Sequence, residues 1–124
     1  MDRKYRILVV EDNPVNLELF ADFLTLGGYE CRRAANGEEA LEAAKKEPPD
    51  LVLLDIQLPG LDGCAVARLL KSSEGMQQVK VIALTAYALK GDKELFLEKG
   101  FDGYIAKPIM MKEFLEAVEH YLRS

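Results

Sequence analysis

The chain has 124 residues, 49% hydrophobic and 30% charged, a composition that fits one folded soluble domain and excludes a disordered or fibrous chain. Its 16 basic and 21 acidic side chains leave a net charge of −5, the wrong sign for holding a nucleic-acid backbone or an anionic membrane surface. Two distant cysteines, Cys31 and Cys64, and a single histidine, His120, exclude a disulfide scaffold and a thiolate or imidazole zinc site. Both thiols are expected to behave as small buried hydrophobes. The N-terminal apolar stretch is too short for a signal peptide or a membrane span, so a cytoplasmic location is expected.

In chain order, strands are expected at Tyr5–Val10, Tyr29–Ala34, Leu51–Leu54, Val79–Leu84 and Phe101–Ala106. The first, third and fourth are nearly continuous apolar runs, the pattern of strands covered on both faces. Helical segments alternate with them. Asn13-Pro14 reads as a cap followed by proline in the first turn. Leu17, Phe20, Phe23 and Leu24 then share a face that Gly27-Gly28 closes. Asn36-Gly37 opens an alanine-rich helix that Pro48-Pro49 stops. Asp62 is expected to cap a third helix carrying Ala65, Val66, Leu69 and Leu70. A fourth runs from about Leu89 to Lys99, interrupted by Gly91. The last places Phe114, Leu115, Val118, Tyr121 and Leu122 on one stripe. Regular βα alternation implies an α/β fold, a doubly wound parallel sheet with helices on both faces. No linker or repeat divides the chain, so residues 1–124 are expected to form a single domain.

In such a sheet, function collects beyond the carboxyl ends of the strands. Those ends carry Glu11-Asp12, Asp55, Thr85 and Lys107. Each residue alone would be an ordinary turn, cap or surface residue; together, at four of five strand ends, they point to one pocket. Three neighbouring carboxylates repel one another, and a hard divalent cation with oxygen ligands relieves that repulsion. A carboxylate is a known nucleophile toward phosphoryl groups, and transfer depends mainly on positioning and charge stabilisation. Asp55, at the end of the most apolar strand, is the expected nucleophile. Glu11 and Asp12 are expected to hold the metal, Lys107 to meet a phosphoryl oxygen, and Thr85 to donate a hydrogen bond to another.

These residues resemble the receiver domain of two-component response regulators. Val10-Glu11-Asp12-Asn13 is similar to the family's acid-pair turn. Asp55-Ile56-Gln57-Leu58-Pro59-Gly60-Leu61-Asp62-Gly63 matches D-x-x-x-P-x-x-D-G, Ala83-Leu84-Thr85-Ala86 the hydroxyl segment, and Tyr104-Ile105-Ala106-Lys107-Pro108 the lysine segment. Asn13-Pro14-Val15-Asn16 and the run from Thr85 to Asp92 resemble single-domain regulators of the DivK type and the receivers of hybrid histidine kinases.

The resemblance implies a five-stranded flavodoxin-like sheet of order 2-1-3-4-5 and a cis Lys107–Pro108 bond. It implies Mg²⁺ or Mn²⁺ held by Asp12, Asp55, the Gln57 backbone carbonyl and Glu11, often through water. Asp55 would accept a phosphoryl group from the phosphohistidine of a histidine kinase or histidine phosphotransfer protein. Thr85 and Tyr104 would act as the switch, reshaping the face formed by the fourth helix, fifth strand and fifth helix for a downstream protein target or a phosphorelay. The expected protein is a monomer or weak dimer that catalyses its own phosphorylation and dephosphorylation but no multiple-turnover substrate chemistry. A hydrolytic aspartyl phosphatase would want a second acid two residues after the nucleophile, where Gln57 stands. A flavodoxin-like cofactor binder would find Glu11-Asp12 repelling the cofactor phosphate. A degenerate receiver acting as a constitutive module would lack some of these residues.

Overall fold

The computed structural model describes residues 4–56, 63–73, 75–85 and 97–123. Among them the apolar runs become β1 (Arg6–Val10), β2 (Glu30–Ala34), β3 (Leu51–Asp55), β4 (Lys80–Thr85) and β5 (Gly103–Ala106). The helices are α1 (Pro14–Leu26), α2 (Gly37–Lys46), α3 (Gly63–Ser72) and α4 (Met111–Arg123). The strands form one parallel sheet in the order β2-β1-β3-β4-β5.

The continuous hydrophobicity of the inner strands divides by strand periodicity into two cores. Leu8, Val10, Val52, Leu54, Val81 and Ala83 face α2 and α3, packing with Ala40, Ala44, Val66, Ala67 and Leu70. Ile7, Val9, Leu51, Leu53, Ile82 and Leu84 face α1 and α4, packing with Phe20, Leu24, Phe114 and Val118. Successive strand side chains point to opposite faces, so a strand between two helical layers must be apolar throughout. β3 is apolar over Leu51–Leu54 and buried at all five positions, Asp55 included.

The helix starts follow the expected capping chemistry. The Asn13 side chain accepts hydrogen bonds from the backbone N–H groups of Val15 and Asn16 at 2.9 and 3.1 Å. Asn36 accepts from Glu39 N–H at 2.9 Å, and the Glu39 carboxylate accepts from Ala35 N–H at 3.1 Å. On the C-terminal stripe, Phe114 and Val118 are fully buried, whereas Leu115, Tyr121 and Leu122 pack at the edge of the same core.

Two readings are corrected. Phe101, expected in the fifth strand, is buried ahead of it, and β5 begins at Gly103. The intervening Asp102 explains the shift: its N–H donates to the Val81 carbonyl at 2.7 Å, while its carboxylate accepts from Val81 N–H at 2.8 Å. Asp102 also pairs with Lys71 at 2.6 Å. Asp50 does similar work before β3, accepting from Arg6 N–H at 2.8 Å. The second correction concerns the thiols: Cys31 and Cys64 are half-buried rather than fully enclosed. The Asp62 cap, Gln57 and most of the expected fourth helix lie outside the described residues; of that helix, residues 97–99 are described, with 97–98 helical and Lys99 in a turn.

Candidate functional site

Parallel strands deliver their carboxyl ends to one rim, and the acids and lysine of β1, β3 and β5 meet there. Glu11, Asp12 and Asp55 present carboxylate oxygens that all lie within 4.8 Å of one another. Lys107, just past β5, donates from Nζ to Glu11 Oε1 at 3.3 Å and to Asp55 Oδ2 at 3.1 Å. Lys107 is separated from Glu11 by 96 residues and from Asp55 by 52, so the meeting is a product of sheet topology. The Lys107–Pro108 peptide bond is cis, and Lys107 N–H donates to the Thr85 carbonyl at 2.7 Å. That bond joins the ends of β4 and β5.

Burial differs sharply within the acid group. Glu11 and Asp55 are 1% and 5% exposed, whereas Asp12 is exposed. Adjacent residues leaving a strand point in opposite directions, so Glu11 turns inward and Asp12 faces the mouth. Burial, together with the hydrogen bond and charge of neighbouring Asp55, pushes the Glu11 carboxyl up to about 7, against the opposing pull of Lys107 and Asn16. Burial works against the Lys107 ammonium, but the hydrogen bonds and charges of Asp55 and Glu11 outweigh it and raise its pKa.

Thr85 is buried at the last position of β4, one residue beyond Leu84, the β4 partner of Asp55. Tyr104 pairs in register with Ala83. Its half-buried side chain packs against the core on the α2–α3 face. Gly63 lets α3 begin close to the site: a Cβ there would stand 2.8 Å from the Ile56 Cα. Gln57, expected to offer a carbonyl ligand, lies outside the described residues.

One residue at this site escaped sequence reasoning. Asn16 Nδ2 donates to Glu11 Oε1 at 3.2 Å, reaching back from the first turn of α1. Its only sequence signal is its place in the Asn13-Pro14-Val15-Asn16 run, which says nothing about the direction of the amide.

Among the described residues, a buried carboxylate pair, a third carboxylate at the mouth and one ammonium between them make an all-oxygen site with excess negative charge. That donor set suits a hard divalent cation and offers no soft ligand for zinc or copper.

Comparisons with known proteins agree with this geometry. The family described as "Response regulator receiver domain" matches residues 7–119. The polar-differentiation response regulator DivK of Brucella anthropi is 44% identical over 116 residues, covering 94% of each chain. A putative response regulator from Chloroflexus aurantiacus superposes with a TM-score of 0.91 at 32% identity, covering 98% of this chain and 100% of that one. The receiver domain of a sensor histidine kinase from Pseudomonas aeruginosa, solved with a magnesium ion coordinated in its active site cleft, gives 0.88 at 37% identity, covering 98% and 100%. By sequence and by fold, the chain belongs to the response regulator receiver domains of two-component systems.

Proposed function

We propose that this protein is a phosphorylation-dependent signalling switch whose phosphoacceptor is Asp55. The observation that supports this best is the joining of Glu11, Asp12, Asp55 and Lys107 at one rim of the sheet. In this reading an Asp55 carboxylate oxygen attacks the phosphorus of a phosphohistidine. A P–O bond forms, the P–N bond breaks, and its electron pair returns to the imidazole nitrogen of the donor. The donor is a histidine kinase or a histidine phosphotransfer protein.

Glu11, Asp12, Asp55 and, as the family resemblance implies, the Gln57 carbonyl would hold Mg²⁺ or Mn²⁺, which would supply positive charge for the phosphoryl oxygens. Lys107 supplies a second positive charge. Its ammonium bridges Glu11 and Asp55, so a small rearrangement carries it from the Asp55 carboxylate to a phosphoryl oxygen on the same residue. The Thr85 hydroxyl donates to another phosphoryl oxygen, and its movement leaves room beside β4 for the Tyr104 ring to turn inward. The face around β5 and α4 then changes its affinity for a downstream protein target, or the phosphoryl group is relayed onward. A coupling of this sort is typically about 1–3 kcal/mol. Residues 1–124 act as one receiver domain, monomeric or weakly dimeric and cytoplasmic, that catalyses its own phosphorylation and dephosphorylation without turning over a separate substrate.

The test is phosphorylation by acetyl phosphate with Mg²⁺, followed by intact mass. The expected result is an acid-labile gain of one phosphoryl group that needs Mg²⁺ and disappears in Asp55→Asn. An undiminished gain in Asp55→Asn would refute the assignment.

A further inference from the structure

Among the described residues β5 is an edge strand, and one side of its backbone has no neighbouring strand. A side chain from α4 serves that edge. The Tyr121 hydroxyl accepts a hydrogen bond from Tyr104 N–H at 3.3 Å and donates one to the Tyr104 carbonyl at 3.3 Å. Its ring lies against Gly103, where any Cβ would run into the ring and hydroxyl. Gly103 is therefore the gap in β5 that lets the Tyr121 ring reach the strand edge. The two tyrosines belong to opposite faces of the sheet: Tyr121 packs with the α1–α4 core and the Tyr104 ring with the α2–α3 core. Tyr104 is thus held through its ring on one face and through its backbone by a helix on the other.

We propose that Tyr121 is a positioning residue that couples Tyr104 to helix α4, so that a change at Tyr104 moves the helix and a partner bound to the helix biases Tyr104. The inference rests on the proposed function, because it takes Tyr104 as the residue that responds to the phosphoryl group. Two hydrogen bonds from one hydroxyl to one residue's N–H and C=O register both translation and twist of that peptide segment. A chain that only needed its edge covered would be served as well by a charged side chain or a proline. By linkage, coupling in one direction implies equal coupling in the other.

The experiment uses the intact protein and amide NMR, with Mg²⁺ and beryllofluoride as the phosphoryl mimic. Wild type is expected to show shifts near Asp55 and Thr85, at Tyr104, and along α4. In Tyr121→Phe, which keeps the ring against Gly103, the Asp55 and Thr85 shifts are expected to persist while the α4 response falls by at least about half. The Tyr104 amide should exchange with solvent about fivefold faster, as expected for loss of one ordinary hydrogen bond. Gly103→Ala, which pushes the ring away from the strand side, should reproduce the loss. An α4 response in Tyr121→Phe equal to that of wild type would overturn the coupling while leaving the function intact. No response around Asp55 in wild type would overturn both.

Discussion

Replacing Glu11 with glutamine should stabilise the metal-free protein in mildly alkaline solution, even though it removes a residue of the functional site. The carboxyl of Glu11 stands at about 7 in the folded protein against 4.5 in a free chain, chiefly because of burial and the adjoining Asp55. A carboxyl raised on folding favours the folded state fully below 4.5, and that advantage is lost as pH climbs through 7. At about 1.4 kcal/mol per pH unit, the interval amounts to about 3 kcal/mol. Glutamine keeps the shape and does not titrate. Urea unfolding at pH 5 and pH 8 with chelator present should show wild type losing about 2–3 kcal/mol more than Glu11→Gln between the two conditions, part of the full span being already lost at pH 5. Saturating Mg²⁺ should reverse the sign, since the cation binds the ionised carboxylates and rewards rising pH in wild type. Equal pH slopes for the two proteins in chelator would refute the reasoning.

Asn16→Ala should weaken Mg²⁺ binding on the order of tenfold in calorimetric titration, because Glu11 loses the amide that orients it. Asp102→Ala removes the acceptor for Val81 N–H and the partner of Lys71, and should cost about 1.5–3 kcal/mol in denaturant unfolding. Phe114→Ala opens the core where this ring, fully buried, meets Phe20 and Phe23 at centroid separations of 5.8 and 6.0 Å. The expected loss is about 3–5 kcal/mol, read from thermal or urea unfolding.

The layered architecture was open to reading because β1, β3 and β4 are apolar at consecutive positions, which only a sheet covered on both sides requires. Their flanking caps, Asn13 and Asn36, announce themselves by residue type. The acids at the strand ends were visible for the same reason: topology alone brings parallel carboxyl ends together. What stayed hidden depends on side-chain direction. Nothing in Glu11-Asp12 says that the first acid is buried and the second exposed. Asn16 reads as a polar residue in a first helical turn, and Asp102 as a turn residue before glycine, until their partners 5 and 21 residues away are known. Tyr121 belongs to an amphipathic stripe that predicts packing correctly but cannot predict that its hydroxyl reaches past the core to the backbone of β5.

Acidic residues at the two ends of this sheet meet opposite fates. Asp50 and Asp102, where strands enter, spend oxygen lone pairs on main-chain amides of Arg6 and Val81 and become masonry. Where strands leave, Glu11 and Asp55 lean on a movable ammonium instead. Anchorage and reactivity are therefore separated by the full length of the strands, and the entry end can be reinforced by sequence change without disturbing the chemistry at the exit.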